Sequence, residues 1–350
     1  MWIKNTDEVI VDGTGRPIFL PLEEFKDICT SRRCFICGKS RSEIEFNDEH
    51  VFPQWMLRDL DLFTETMNLP NRVKVKYGTY KIDCCKLCNS ELGRLYEERV
   101  STIIKTYSPD EILSKQNEFL VFRWLALIFL KTHLRDRQNP NELDKTKFSG
   151  YISDEYEWSF LHYAHAIVRS ELNNVACDDS VFGSFFILPF YDPSASDLFD
   201  YADYLYGNSI MIRYKNFCIF AVLDDGGACQ KLLSNHLNRI TGSINRLQAL
   251  ELLIELAFLR VHLTDYPQFS TITDLENEKS IIIGQRPVEE IVLNELNYDV
   301  RARLMKFFYG ELVEKLSIDP SLMETGHLTF LFDDDGIFRA DSIRLKEDRV

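Results

Sequence analysis

Cys34-Phe35-Ile36-Cys37-Gly38, then Asn47-Asp48-Glu49-His50-Val51-Phe52-Pro53, then Cys85-Lys86-Leu87-Cys88-Asn89: the stretch 34–97 that holds these runs decides how the chain is read. Two Cys-x-x-Cys pairs bracket one acidic-His-apolar-Pro element. Cys34, Cys37, Cys85 and Cys88 have the spacing of a tetrahedral, four-thiolate zinc site. Forty-seven residues separate the pairs, enough for a hairpin between them. Each pair predicts a tight knuckle whose amides bond the thiolates, and Gly38 permits the first turn. Cys84 leaves a second registration open, Cys84-x-x-x-Cys88. The spacing of the first pair favours Cys85.

Working outward, 350 residues make two domains the default. An apolar content of 45% allows a sizeable core without covalent staples. Six of the nine cysteines lie between Cys29 and Cys88, which favours metal over disulfide and hence a reducing cytosol. Met1-Trp2-Ile3-Lys4-Asn5-Thr6-Asp7-Glu8 lacks the apolar core of a signal peptide. The most apolar run, 119–130, is 12 residues long and carries Arg123. A bilayer span needs about 20 apolar residues. The expectation is a soluble, cytoplasmic protein with no membrane partner.

The net charge of −15 excludes a uniformly basic surface. Its distribution matters more. Residues 1–110 hold 16 Lys+Arg against 18 Asp+Glu, and residues 111–350 hold 24 against 37. Within the first part, 72–86 carries Arg72, Lys74, Lys76, Lys81 and Lys86 against Asp83 alone. Such a strip can contact phosphate while the whole molecule stays acidic. The expected division is 1–110, a domain with the four-cysteine zinc site, and 111–350, a helix-rich α+β domain.

Patterning fills in the elements. Residues 1–20 read as a hairpin turning at Asp12-Gly13-Thr14-Gly15, and 23–29 as a short helix. Residues 72–82 alternate basic and apolar and turn at Gly78, which predicts a two-stranded ribbon with one cationic face. Helices are expected over 118–135 and 153–172, the second capped by Ser153 with Asp154, Glu155 and Glu157 in its first turn. Strands follow over 182–190, 208–214 and 217–223, with a polar loop at 191–207. A long helix is expected over 243–263, strand at 272–283, helix over 288–312 and a hairpin over 328–338. The fold class is α+β.

His50 carries the chemistry, because a neutral imidazole can take a proton from water near pH 7. Asp48 and Glu49 can hold a hard divalent cation. On an ideal strand Asp48 and His50 share a face and Glu49 points away, so both acids stay in play. Asn89, where a helix should begin, offers a neutral oxygen at an N-terminus that favours phosphate. These parts match a phosphodiester hydrolase in which His50 activates water and Mg²⁺ or Mn²⁺ stabilises charge on the phosphoryl and leaving oxygens. Arg72, Lys74, Lys76 and Lys81 are the candidate phosphate contacts. His162 and His165 lack a further ligand. Asp224-Asp225-Gly226-Gly227 and Asp333-Asp334-Asp335-Gly336 read as turns. Cys177, Cys218 and Cys229 read as core residues.

Residues 34–99 resemble the HNH endonucleases of the His-Me finger (ββα-metal, treble-clef) group. The likeness is to the branch with Cys-x-x-Cys, Glu-His-apolar-x-Pro-x-Trp and Cys-x-x-Cys-Asn followed by a Glu. Here those are Cys34/Cys37, Glu49-His50-Val51-Phe52-Pro53-Gln54-Trp55, Cys85/Cys88-Asn89 and Glu97. The match covers under a fifth of the chain. It implies that His50 is the general base, that Glu49 binds the catalytic metal and that Asn89 takes the third-letter position; Asp48 is then read as a second ligand or orienting partner. Glu97 either braces the zinc site, pairs with a basic residue or is a solvated helix glutamate. Tyr80-Lys81-Ile82-Asp83 stands where the family's middle Asn is expected. The resemblance also implies structural Zn²⁺, catalytic Mg²⁺ or Mn²⁺ and a double-stranded DNA substrate. The acidic 111–350 region would serve targeting, sensing or oligomerisation through a protein partner or self-association. Such enzymes are common in prokaryotic antiviral defence and mobile elements. The alternative is a zinc-stabilised nucleic-acid-binding or interaction module without chemistry.

Overall fold

A knuckle-and-hairpin finger clamped to a long central helix dominates the N-terminal half. The computed structural model describes residues 20, 22–71, 73–142, 144–147, 149–173, 175–193, 197–274, 279–285, 290–316 and 320–340. It contains both helices and sheets, so the fold class is α+β. The chain divides into two compact units, 1–181 with 269–285, and 182–268 with 286–350. The boundary expected at 110 falls inside the first unit. The reason is visible in the packing of the helices that follow.

The first unit opens with α1 (Leu22–Thr30), then the first cysteine knuckle, β1 (Phe46–His50) and α2 (Gln54–Asp59). β2 (Thr66–Asn68) and β3 (Lys74–Lys76) form an antiparallel ribbon, and β4 (Lys81–Cys85) returns to pair with β1. α3 (Lys86–Leu92) runs through a π-turn, Gly93–Glu97, into α4 (Glu98–Thr106). α5 (Pro109–Ile112) is capped by Ser108 and Glu111 in a reciprocal box. α6 (Lys115–Arg135) is buried along nearly all of 120–134, so polarity on one face cannot define it. It packs against α7 (Ser159–Leu172), α4 and β4, which places it in the same core as the finger. β5 (Ala176–Cys177) closes this half.

The second unit is a four-stranded antiparallel sheet in the order β6 (Phe185–Pro189), β9 (Phe217–Val222), β8 (Ser209–Tyr214), β7 (Phe199–Tyr204). β8 and β9 are buried at every residue. Their continuous apolar runs, rather than alternation, reflect cover on both faces. α8 (Ala228–Leu237) and the almost wholly buried α9 (Arg246–His262) complete the core. β10 (Gln268–Asp274) and β11 (Lys279–Gln285) then leave the unit, and β11 pairs in parallel with β5 in the first. α10 (Tyr298–Leu316) and the segment 320–340 belong again to the second unit.

Several expectations change. The ribbon over 72–82 does not form: β3 pairs backward with β2, and β4 pairs with β1. The turn at 77–79 is anchored elsewhere, since Tyr77 N donates to Glu65 O and Gly78 N to Phe63 O. A Cβ at Gly78 would lie 2.7 Å from the Phe63 carbonyl oxygen, so the chain passes there only as glycine. The helix expected from 153 starts at Ser159. Asp154 instead accepts from Tyr151 N in a separate single turn, and Ser153 is buried within it. α9 is capped by Asn245, which accepts from Gln248 N. β7 lies in the expected loop 191–207, and α8 adds a helix where none is expected. The start expected for α10 at 288 shifts to Tyr298. The hairpin expected at 1–20 lies outside the described residues, apart from Leu20.

Candidate active site and metal centre

Cys34, Cys37, Cys85 and Cys88 come together with their Sγ atoms all within 4.8 Å of one another. Zn–S bonds of about 2.3 Å in a tetrahedron require S···S edges of about 3.8 Å, so a small contraction closes this cage on an ion. Four thiols suit zinc, and the group can hold a structural metal of that kind. The knuckles are built by backbone. Cys34 N donates to Lys39 O, Gly38 N to Cys34 O, and Gly38 sits at φ +72. Cys85 is the N-cap of α3 and its sulfur accepts from Cys88 N. This resolves the choice at 84/85. Cys84 reaches Cys34 at 3.9 Å but lies outside the four-way group. Within the cluster one thiolate is favoured. Hydrogen bonds from Cys37, Cys84 and Cys88 hold Cys34 far below the ordinary thiol range. The same anion pushes Cys37 up to about 11 and drives Cys88 higher still. His165, fully buried on α7, bonds the Phe35 carbonyl and braces the first knuckle. His162 bonds Leu20 O, and neither histidine joins the metal-binding group.

β1, β4 and α3 make a ββα finger over this cluster. The register pairs Phe46 with Cys85, Asp48 with Asp83 and His50 with Lys81, and these share the outer face. Asn47 with Cys84 and Glu49 with Ile82 lie on the other face, where Glu49, Ile82 and Cys84 are buried. His50 therefore ends β1 half-buried, with Lys81 opposite, the Gly78 backbone bonded to it and the Phe63 ring edge-on at 6.2 Å. Burial and then the Lys81 charge keep the imidazole below the ordinary histidine value, so it is neutral at pH 7. Val51, Phe52 and Pro53 are buried behind it, Phe52 stacked on Tyr80.

Glu49 is 7% exposed and ion-paired. Lys131 on α6 places Nζ 2.7 Å from Glu49 Oε1, 2.8 Å from the His50 carbonyl oxygen and 3.5 Å from Glu97 Oε1. Burial opposes the Lys131 charge, but the two carboxylates outweigh it and hold the ammonium above the ordinary lysine range. Burial pushes Glu97 up to about 7 despite Lys131. The π-turn explains how Glu97 arrives. Eight α-helical steps from Asn89 would turn it away by roughly 80°, and one inserted residue cuts that to about 20°. Of the alternatives for Glu97, pairing with a basic residue is the one observed.

The expected catalytic-metal residues do not converge. Glu49 is engaged inward, Asp48 is exposed on the outer face, and the Asn89 amide donates to Asn47 Oδ1 at 2.8 Å. Among the described residues, the four cysteines are the one group of three or more His, Cys, Asp or Glu ligand atoms close enough for a metal. One Mg²⁺ or Mn²⁺ shared by Asp48 and Glu49 thus does not fit, because the two carboxylates leave opposite faces of β1. The basic strip divides: Lys74 and Lys76 are exposed on β3, Lys81 faces His50, and Arg72 lies outside the described residues. Lys131 escapes a reading by motif. Its signal is a lysine that directly follows the apolar run 124–130 in a buried helix, which demands a buried acid.

No helix among the described residues is long and apolar enough to cross a membrane. Searches of protein-family models, curated proteins and solved structures found no match for the chain.

Proposed function

We propose that the first unit is an HNH-type, His-Me finger phosphodiester hydrolase acting on double-stranded DNA. The observation that carries the reading is the zinc-ready ββα finger with a neutral, half-exposed His50 at the end of β1 and Lys81 directly across from it. In this reading His50 takes the proton of a water that attacks phosphorus. Lys81 sits where a phosphate on the outer face would be drawn. The buried Val51-Phe52-Pro53 turn and the zinc cluster hold the finger rigid, which keeps the base in place before substrate arrives. No step runs through a divalent cation, because the donors expected for one are apart. A place in antiviral defence remains part of the proposal only as context, and the second unit is proposed to serve a protein partner or self-association.

Supercoiled plasmid, incubated with zinc-loaded protein in Mg²⁺, Mn²⁺ or EDTA, tests this. Wild type should nick it, and His50→Ala should lose about 10²–10⁴-fold in rate with DNA affinity kept. Equal nicking by His50→Ala would remove His50 as base. The enclosure of Glu49 by Lys131 also favours the alternative, a binding module without chemistry. DNA retention with intact plasmid under all three conditions is its signature.

A further inference from the structure

The buried ammonium of Lys131 has no part in the steps above, yet it touches the catalytic turn. Its side chain is fully buried, 0% exposed. Its three donors face three oxygens: Glu49 Oε1, the His50 carbonyl and Glu97 Oε1. That matches the full donor capacity of an ammonium. We propose that Lys131 is a positioning residue for His50 and the resident cation of this oxygen cluster, so that Glu49 is its counter-ion and not a metal ligand.

The geometry argues for this in three ways. Glu49 and His50 are neighbours on one strand, so their side chains leave opposite faces. Fixing Glu49 inward sets the roll of β1 and turns the imidazole outward. The second contact is to the peptide of His50 itself, at the last paired residue of the strand; beyond it Val51 N donates to Tyr80 O. Tyr80 in turn reaches the carbonyl of Thr132, the next residue of α6, so the turn is tied to that helix twice. Finally, Glu49 is 7% exposed and its charge is already balanced by Nζ at 2.7 Å, so a second cation there would be repelled by a buried ammonium. A buried ion pair is weak evidence for stability, since well-packed apolar residues often serve as well. Its value here is direction: α6 supplies a fixed charge that aims the base.

The cleavage readout rests on the proposed nuclease reading; the cation readout does not. Zinc-loaded full-length wild type, Glu49→Gln, Lys131→Arg and Lys131→Met are compared by Mn²⁺ binding, using Mn²⁺ alone followed by electron paramagnetic resonance, and by plasmid nicking. Glu49→Gln is nearly isosteric and keeps the test alive if Lys131→Met does not fold. The expected result is that Glu49→Gln leaves Mn²⁺ affinity at its wild-type value and lowers kcat with KM kept, without rescue by added Mn²⁺. Lys131→Met should lose about 100-fold in kcat, as for a base displaced by an ångström. Lys131→Arg, which keeps the charge, should recover part of that loss. A tenfold drop in Mn²⁺ affinity on Glu49→Gln would overturn the proposal by making Glu49 a metal ligand. Wild-type kcat in both Glu49→Gln and Lys131→Met would overturn it as well. If no variant nicks, wild type included, the nuclease reading fails while the Mn²⁺ comparison still decides the role of Glu49.

Discussion

At the scale of single residues, the finger depends on which thiols are ligands and which merely touch them. Cys85 caps α3 and Cys84 points to the buried side of β4, though one peptide separates them. Their roles follow from alternation along the strand, which sends neighbours to opposite faces. Purified protein should therefore contain about one zinc per chain, because four thiolates complete one tetrahedral site. Cys85→Ser and Cys88→Ser should lose the metal and leave the first unit protease-sensitive, since structural zinc binding is also folding energy. Cys84→Ser should retain it. Elemental analysis decides, and full zinc in Cys85→Ser with none in Cys84→Ser would reverse the assignment. Affinity should fall as pH is lowered through the neutral range. The metal needs thiolates, while Cys37 and Cys88 hold their protons tightly when no metal is bound.

At the scale of elements, what the sequence revealed was local, and what it hid was long-range. The knuckles, the exposed aspect of His50, the central helix and the runs of β8 and β9 rest on spacing and composition within a few residues. The partner of β3 does not, and the alternating basic run 72–82 looks like a hairpin only until Phe63 and Glu65 take the amides of Gly78 and Tyr77. β7, Phe-Asp-Tyr-Ala-Asp-Tyr, is polar enough to pass for loop; it is a strand because β8 pairs with it along its whole length. The Lys131–Glu49–Glu97 cluster joins elements 82 and 34 residues apart, and a π-turn shifts the helical phase that would have exposed it. Splitting the basic strip alters what its mutation should do. Removing Lys74, Lys76 and Lys81 together should weaken DNA binding and flatten its salt dependence by about 0.9 log units for each phosphate left without its cation. Sequence preference should hold, because phosphate contacts position rather than specify. Titration of binding against salt checks this, and an unchanged slope would place the DNA on another face.

At the scale of the whole molecule, the two units should answer acid in opposite directions. The first loses stability on acidification as its thiols regain protons and release metal, a loss that outweighs the opposite contribution of Glu97, pushed up to about 7. The second contains Glu251 on α9, 2% exposed, whose carboxylate accepts from Thr329 Oγ1 and the amides of Phe330 and Leu331. Arg301 of α10 lies 3.8 Å from it, and Glu255 one turn on pairs with the same Arg301. Burial outweighs those hydrogen bonds and pushes Glu251 up to about 7 from 4.5. A carboxyl with a raised folded pKa binds protons in the folded state that the unfolded chain has released. Stability from this group is thus full below 4.5 and is lost as pH rises through 7, about 3 kcal/mol in all. Calorimetry of the zinc-loaded chain from pH 8 downward should show one transition rising and one falling. Glu251→Gln should flatten the first, and Cys88→Ser, which loses the metal, should abolish the second. If Glu251→Gln leaves the rising transition with its wild-type slope, the proton that stabilises the second unit sits elsewhere, and the clamp on 329–331 is held by charge rather than by a shared hydrogen.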